Sequence, residues 1–258
     1  MCKIALIGYG RMGREVEKVA RQRNHEILLK IDIENVSDAK NLSNVDVAID
    51  FSTPLCAPDN IYKCFNVNVP IVVGTTGWSG RLEEIKKICA DKDQALFYSS
   101  NFSIGVNIFF EINRKLARLM NEHDHYDVFI EETHHKQKLD SPSGTAITMA
   151  NDIIEAVDRK RGWINIESGS DTIPATSISQ EGGDQDQNFI SATGIEITSI
   201  RKNNVTGTHI AKYISDIDSI EIKHCANNRK GFAVGAVLAA EWIIGKKGVF
   251  TMGNMLKF

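Results

Sequence analysis

Residues 3–20 read KIALIGYGRMGREVEKVA, and this stretch decides the fold of the first half of the chain. A short apolar run of strand length, residues 3–7, is followed at once by the glycine-rich run Gly8-Tyr9-Gly10-Arg11-Met12-Gly13. Apolar residues at helical spacing follow over residues 16–20. The stretch therefore predicts a strand, a tight turn and a helix, which is the structural context of a dinucleotide-binding motif.

An acidic residue, Asp32, closes the next predicted strand, residues 27–31, about 20 residues after Gly13. In such a motif Gly8 permits the tight turn, Gly10 lets backbone amides approach a pyrophosphate, and Gly13 lets helix and strand pack closely. Asp32 is then placed to accept hydrogen bonds from a ribose diol. A glycine-rich turn without a ligand is the alternative, and the position of Asp32 argues against it.

Further strands are predicted at residues 45–51, 71–73 and 95–98, with helix-length segments such as 79–90 between several of them. This alternation predicts a Rossmann-like parallel sheet with helices on its faces. Ligands of open α/β sheets bind outside the carboxyl ends of the strands. Two loops at such ends are therefore predicted to surround a nicotinamide ring, and they carry Gly74, Thr75, Thr76, Ser99, Ser100, Asn101 and Phe102.

The residues around Asp32 bear on the choice between NADH and NADPH. An NADPH-selective site places a cation against the 2′-phosphate, but Ile33 follows Asp32 and the nearest basic residue of the strand is Lys30. The sequence predicts NADH, NADPH or both as cofactor, with NADH favoured.

A second domain is predicted to begin near residue 106. A helical pattern over residues 106–121 precedes a predicted strand at 128–133, and short β-type segments separated by turn residues follow at 195–200, 209–214 and 219–222. We expect a smaller α+β domain with an open mixed sheet over residues 106–228, and a nucleotide domain formed by residues 1–105 and 229–258. The polar residues 180–188 are predicted to form a loop.

Composition excludes several classes of protein. A formal net charge of -3 argues against a nucleic-acid or anionic-membrane partner. The five cysteines are scattered without a Cys-x-x-Cys spacing, which predicts reduced thiols in a cytoplasmic protein. We find no apolar stretch of the roughly 18 residues that a membrane span needs and no signal-peptide pattern.

The densest cluster of reactive side chains is the stretch EETHHKQKLDSPSGTA, residues 131–146. Ser143 is placed to cap a following helix, whose free amides near Gly144 and Thr145 would face an anion. Histidine exchanges a proton near neutral pH, and lysine neutralises a carboxylate or protonates a nitrogen. The cluster therefore predicts a site that reduces a dianion containing a polarised C=N bond.

Two other interpretations of this cluster stay open at this point. It is also compatible with a solvated strand end whose charges pair with Glu131, Glu132 and Asp140. A metal site is disfavoured, because adjacent histidines point different ways on a strand and no third ligand stands at a characteristic spacing.

The same stretch resembles the signature of the dihydrodipicolinate reductase family, also called 4-hydroxy-tetrahydrodipicolinate reductases. In that signature two histidines are followed by a lysine, an aspartate and Pro-Ser-Gly-Thr-Ala, as in residues 134–146 here. The resemblance runs nearly end to end, and further agreement is found in the segments GRMG (10–13), DFS (50–52), GTTG (74–77), NFSIGVN (101–107) and GTH (207–209).

The resemblance implies roles for individual residues. His134 corresponds to the family's proton donor or acceptor and Lys138 to its second proton donor, while His135, Gly144 and Thr145 match substrate-binding positions, to which we add Ser143. The family's cofactor contacts correspond to Gly8, Tyr9, Gly10, Arg11, Met12, Gly13, Asp32, Gly74, Thr75, Thr76, Ser99, Ser100, Asn101 and Phe102. The family reduces 4-hydroxy-tetrahydrodipicolinate to tetrahydrodipicolinate with a nicotinamide hydride, in lysine and diaminopimelate biosynthesis, and the resemblance implies a homotetramer assembled through the second domain's sheet.

Two departures from the family pattern concern the cofactor. The first turn is Gly8-Tyr9-Gly10, one residue shorter than the form common in the family, and Ile33 stands where NADPH-using relatives often have arginine. Two other functions compete with this hypothesis. A related amino-acid dehydrogenase would reduce an acyclic imino acid, and a nicotinamide-responsive regulatory protein would bind the cofactor without turnover.

Overall fold

The computed structural model describes residues 1–167, 176–178 and 193–258. Its strands are β1 (Lys3–Ile7), β2 (Glu26–Ile31), β3 (Val47–Asp50), β4 (Ile71–Val73), β5 (Ala95–Tyr98), β6 (Asp127–His134), β7 (Gly162–Glu167), β8 (Thr176–Ile178), β9 (Gly194–Arg201), β10 (Gly207–Ile214), β11 (Ser219–Ala226) and β12 (Gly248–Phe250). Its α-helices are α1 (Arg11–Gln22), α2 (Ala57–Asn66), α3 (Leu82–Asp91), α4 (Ile104–Met120), α5 (Gly144–Ala156), α6 (Lys230–Ile243) and α7 (Met252–Leu256). Two 3-10 segments cover Ile33–Asn44 and Ser79–Arg81.

The chain forms two compact units: unit 1 comprises residues 1–107 and 230–258, and unit 2 comprises residues 108–229. Unit 1 is built on a six-stranded sheet in the order β12-β5-β4-β3-β1-β2. Every strand pair of this sheet is parallel. The predicted Rossmann-like sheet is therefore confirmed.

Alternating residues of the strands in unit 1 supply two hydrophobic cores, one on each face of the sheet. Ile4 and Leu6 of β1 pack with residues of α1 and α6. Ala5 and Ile7 of the same strand pack with residues of α2 and α3. Burial of both faces explains why the central strands are apolar throughout, as a parallel sheet covered by helices requires.

Unit 2 contains the second six-stranded sheet, in the order β11-β10-β6-β9-β7-β8. Strands β6 and β7 each pair in parallel with β9. Strand β10 pairs antiparallel with both β6 and β11, and β8 pairs antiparallel with β7. The predicted mixed sheet is confirmed. One face of it packs against apolar residues of α4 and α5, including Phe109 and Met149.

Several elements were not predicted, among them α2, β7, β8, β12 and the 3-10 segment Ile33–Asn44. The loop predicted at residues 180–188 lies outside the described residues. Within the described part of the chain, no helix is long and apolar enough to span a membrane.

Candidate active site

The glycine-rich turn of unit 1 lies between β1 and α1. Gly8 has a φ of 84°, and a Cβ atom built on it would stand 2.3 Å from the carbonyl oxygen of Phe51. A Cβ on Gly13 would stand 2.4 Å from the Gly8 carbonyl oxygen, whereas a Cβ on Gly10 would meet no atom within 4 Å. Gly8 and Gly13 are thus required by the turn itself, and Gly10 faces open space.

Helix α1 begins at this turn with Gly10 as its N-cap, and no side chain caps its free amides. Uncapped amides at the positive end of a helix dipole are suited to an anion. A cavity of about 370 Å³ lies beside them, and it is lined by Gly10, Arg11, Met12, Phe51, Ser52, Pro54, Gly74, Thr75 and Thr76. The turn and the loop after β4 therefore form one site that fits a pyrophosphate.

A second cavity, of about 280 Å³, shares Thr75 and Thr76 with the first and extends to Ser99 and Ser100 after β5. The predicted loops after β4 and β5 are thus brought together. Phe102 differs from its neighbours, because it is 2% exposed and stacks on Phe97 in the core, with ring centroids 5.8 Å apart.

A buried polar network beneath these cavities was missed by the sequence analysis. The Asp50 carboxylate accepts hydrogen bonds from Thr75 Oγ1 (2.5 Å), Asn60 Nδ2 (2.8 Å) and Ser52 Oγ (3.0 Å). Burial raises the pKa of Asp50, although the hydrogen bonds from Thr75, Asn60 and Ser52 oppose this shift. The network fixes the orientation of Thr75, which lines both cavities.

Asp32 lies at the end of β2 and lines a third cavity of unit 1, of about 720 Å³, together with Tyr9, Arg14 and Lys30. Its carboxylate accepts a hydrogen bond from the Ile33 amide at 2.9 Å. Lys30 Nζ lies 2.9 Å from Glu17 Oε1 and 4.6 Å from the centre of the Tyr9 ring. Two basic residues, Arg14 and Lys30, thus line the cavity with Asp32, and the charge of Lys30 is paired with Glu17.

In unit 2, His134 is the last residue of β6 and is 7% exposed. Its Nδ1 is hydrogen-bonded to Oε2 of Glu132, which has no exposed surface. The other carboxylate oxygen of Glu132 lies 2.9 Å from Arg201 Nη2. Burial raises the pKa of Glu132, but the hydrogen bond with His134 and the ion pair with Arg201 outweigh it and lower the pKa to about 2. Glu132 is therefore ionised at neutral pH.

Residues 135–143 connect β6 to α5 and are tied to three strands of the sheet. Arg201 of β9 donates to the carbonyl oxygen of Asp140 at 2.8 Å, and Asn165 of β7 donates to Ser141 Oγ at 3.0 Å. His209 Nε2 of β10 is hydrogen-bonded to Ser143 Oγ at 2.9 Å. Loop 135–143 is thus fixed above the end of the sheet.

The predicted substrate residues follow on this loop. Ser143 caps α5 by accepting a hydrogen bond from the Ala146 amide at 3.3 Å, and Gly144 is exposed in the first turn of the helix. Lys138 Nζ lies 2.7 Å from Asp140 Oδ1. The alternative interpretation was a solvated strand end whose charges are paired. Glu132 and Asp140 do have partners, His134 and Lys138, but the Glu132–His134 pair is buried and not solvated.

His209 is a site residue that sequence spacing did not identify. It lies opposite Glu132 in the antiparallel pairing of β10 with β6, and its ring centroid is 5.0 Å from that of His134. Burial, reinforced by His134, lowers the pKa of His209 to about 3. His209 therefore stays neutral at physiological pH.

The ligand-type atoms of Glu132, His134 and His209 all lie within 4.8 Å of one another, so a third potential metal ligand does stand near the first two. Each of these three residues already has a partner within the protein. The Glu132 carboxylate is held by His134 and Arg201, and His209 Nε2 by Ser143. The arrangement is suited to proton transfer through a hydrogen-bonded histidine.

Comparisons with known proteins agree with this geometry. The family model described as dihydrodipicolinate reductase, N-terminus, matches residues 2–102, and the model described as dihydrodipicolinate reductase, C-terminus, matches residues 105–256. A 4-hydroxy-tetrahydrodipicolinate reductase from Christiangramia forsetii is 46% identical over 98% of this chain and 97% of its own. Another, from Methanoregula boonei, is 32% identical over 99% and 98%.

A solved structure shows the same fold. Dihydrodipicolinate reductase from Paenisporosarcina sp. TG-14, determined with bound dipicolinate, superposes with a TM-score of 0.73 at 22% identity and 99% coverage of both chains.

The Rossmann-like unit and the histidine cluster, together with these relatives, define an oxidoreductase that uses a nicotinamide cofactor. The chain belongs to the dihydrodipicolinate reductase family.

Proposed function

We propose that this protein reduces 4-hydroxy-tetrahydrodipicolinate to tetrahydrodipicolinate in lysine and diaminopimelate biosynthesis. A water molecule is lost from the substrate, and a hydride and a proton are added to the unsaturated ring. The nicotinamide cofactor supplies the hydride when it is bound. Unit 1 binds the cofactor, and unit 2 binds the cyclic dicarboxylate and supplies the proton.

The observation that carries this proposal is the position of His134. It is a buried histidine that ends β6, is held through Nδ1 by an ionised carboxylate, and is followed by a loop anchored to three strands. A histidine held in this way keeps one ring nitrogen, Nε2, for proton exchange.

The substrate is a dianion, and loop 135–143 offers groups suited to its carboxylates. Lys138 supplies a cation and a second proton source. Ser143, Gly144 and Thr145 form the start of α5, where the helix dipole and the free amides favour an anion, and His135 begins the loop that leads to it. In this assignment the salt bridge between Lys138 and Asp140 is a resting contact that the substrate carboxylate replaces.

For the cofactor, we assign the pyrophosphate to the turn Gly8–Gly13 and the nicotinamide to the cavities lined by Gly74, Thr75, Thr76, Ser99 and Ser100. The Asn101 and Phe102 positions complete the second loop. Asp32 binds the ribose diol of the adenosine half. NADH is preferred over NADPH, because the Asp32 carboxylate repels a 2′-phosphate and the nearby Lys30 is already paired with Glu17.

We further propose a homotetramer that assembles through the sheet of unit 2. One face of that sheet carries apolar side chains that the chain itself leaves partly exposed, namely those of Phe129, Ile200 and Ile210. Light scattering coupled to gel filtration measures the assembly, and a monomeric protein would contradict this proposal. We place the enzyme in the cytoplasm, since its five cysteines are all free thiols.

The test of the activity is a coupled assay. A synthase generates the labile ring substrate, and the loss of nicotinamide absorbance is followed with NADH and with NADPH in separate reactions. We expect rapid oxidation that depends on the substrate, and a loss of about 10²–10⁴-fold in turnover for His134→Gln with unchanged NADH affinity. Oxidation of neither cofactor, in protein shown to bind NADH, would overturn the proposal in favour of another imine substrate or a binding protein without turnover.

A further inference from the structure

Glu132 is a carboxylate buried without an evident structural need. Strand alternation places it on the same face of β6 as Val128 and Ile130, which belong to the apolar core of unit 2. Its sequence neighbour Glu131 lies on the opposite face and is exposed. A buried ion pair contributes little or nothing to stability compared with apolar residues of similar volume. The presence of a charge here therefore calls for a chemical explanation.

The partners of Glu132 suggest that explanation. Its carboxylate has no exposed surface, is hydrogen-bonded through Oε2 to His134 Nδ1 and faces Arg201 through Oε1 at 2.9 Å. A carboxylate on Nδ1 requires a proton on that nitrogen, because the ionised oxygen only accepts hydrogen bonds. The neutral ring then carries its free lone pair on Nε2.

We propose that Glu132 is a positioning residue for His134 and that Arg201 sets the strength of its effect. This inference rests on the proposed function of His134. The carboxylate selects the Nδ1-protonated ring, makes Nε2 the atom that exchanges protons, and stabilises the imidazolium from which the proton leaves. When the Nε2–H bond breaks, the proton passes to the substrate and the ring remains neutral with its Nδ1–H on Glu132. Nε2 is then reprotonated from solvent.

The other ionisable groups around His134 leave this role to Glu132. From β10, His209 faces the His134 ring and is kept neutral by burial, which lowers its pKa to about 3. From β11, His224 lies opposite His209, and burial lowers its pKa too. From β9, Arg201 is the cation, and loop 135–143 carries Lys138 paired with Asp140. Glu132 is thus the anion in direct contact with the ring.

The positive charge of Arg201 counteracts the effect of the Glu132 carboxylate on His134, so the proposal makes two predictions of opposite sign. Removing the negative charge of Glu132 destabilises the imidazolium, so the pKa of His134 should fall. Removing the positive charge of Arg201 leaves the carboxylate uncompensated, so the pKa of His134 should rise. A residue that merely supported the fold would shift neither value in a directed way.

The experiment compares Glu132→Gln with the control variant Glu122→Gln, an exposed residue of unit 2 in the turn after α4. In the complete reaction, Glu132→Gln should lower kcat by about 10- to 100-fold and move its alkaline decline to lower pH, with an unchanged KM for NADH. Glu122→Gln should behave as the unaltered protein. A uniform decrease of kcat with an unshifted pH profile would overturn the proposal.

The second measurement does not depend on turnover. Long-range proton–nitrogen NMR of the folded protein reports the tautomer and the pKa of His134 in the unaltered chain, in Glu132→Gln and in Arg201→Gln. We expect the Nδ1-protonated tautomer in the unaltered chain and opposite pKa shifts in the two variants. The Nε2-protonated tautomer, or shifts of the same sign, would refute the role of Glu132.

If Glu132→Gln fails to fold, Glu132→Asp takes its place. This variant keeps the charge but shortens the side chain, so we expect a smaller pKa shift of His134 in the same direction. A chain that lacks reductase activity but shows these shifts would refute the proposed reaction and leave the pair intact.

Discussion

Gly207 lies directly beside His134: a Cβ atom built on Gly207 would stand 3.0 Å from His134 Nε2. Gly207 begins β10, the strand that pairs antiparallel with β6. The absence of a side chain at this position leaves room at the nitrogen to which we assign proton transfer. Glycine is therefore expected here for access to the ring.

Gly207→Ala should lower kcat by about 10-fold or more, because a methyl group at this distance displaces the ring or blocks its Nε2 atom. The affinity for NADH, measured by fluorescence titration, should not change, since the turn Gly8–Gly13 is untouched. Gly80→Ala is the matched control, as its Cβ would meet no atom within 4 Å. Normal turnover in Gly207→Ala would show that Nε2 is not the reacting atom.

Lys138→Ala should lower kcat/KM for the ring substrate by about 10- to 100-fold, because both a cation for a carboxylate and a proton source are lost. Steady-state kinetics at saturating NADH measure the effect. Lys136→Ala provides the control, since Lys136 is an exposed residue on the same loop. A normal saturation curve for Lys138→Ala would reject its assignment to the substrate.

The local parts of this molecule are the parts that its sequence predicts well. The strand, turn and helix at Gly8–Gly13 and the capped start of α5 depend on residues that are neighbours in the chain. The pairing of Glu132 with His134 can also be predicted from the sequence, since alternate residues of a strand share a face.

No role was predicted for His209 or Asp50, although both lie in segments that resemble the family. His209 reaches the site through strand pairing between β10 and β6, and Asp50 becomes important only because Thr75, from another strand end, closes over it. Long-range pairing of this kind produces no periodic pattern in the sequence near either residue. Strands β8 and β12 have three residues each and, unlike the equally short β4, are not continuous apolar runs.

Asp32→Ala should weaken the binding of NADH more than the binding of NADPH. The ribose diol of NADH loses its hydrogen-bond acceptor, whereas the 2′-phosphate of NADPH is no longer repelled by a negative charge. Asp32 also accepts a hydrogen bond from the Ile33 amide, so Asp32→Ala removes this structural contact as well. Asp32→Asn separates the two contributions, since asparagine keeps an acceptor oxygen but not the charge. Equal losses for both cofactors would mean that Asp32 does not contact the ribose.

Glu17→Gln should increase the ratio of kcat/KM for NADPH to that for NADH by about 10-fold, since Lys30 is released toward a 2′-phosphate. Burial raises the pKa of Glu17, but hydrogen bonds from Lys30, Tyr9 and Arg21 lower it to about 2, so the residue is ionised whenever the enzyme works. Glu15→Gln is the matched control, because Glu15 pairs with Lys18 on the same helix at 2.7 Å. An unchanged ratio in Glu17→Gln would remove the Lys30–Glu17 pair from cofactor selection.

Asp152→Asn should stabilise unit 2 against unfolding relative to the unaltered chain, and this gain should be larger at neutral pH than at acidic pH. Burial raises the pKa of Asp152 from 3.8 to about 6, assisted by Glu155 and Glu111, although Arg114 lies 3.2 Å away and opposes the shift. The folded state then binds this proton more tightly than the unfolded chain does. Stability is therefore highest below the unfolded pKa and decreases as the pH rises through about 6.

Asparagine resembles the protonated acid and carries no charge, so the variant avoids this decrease. Between pH 4 and 7 its free energy of unfolding should gain up to about 3 kcal/mol on that of the unaltered chain. Urea unfolding at a series of pH values measures the difference, with exposed Asp124→Asn as the control. A difference that is independent of pH would mean that the Arg114 ion pair offsets the cost of burying the Asp152 charge.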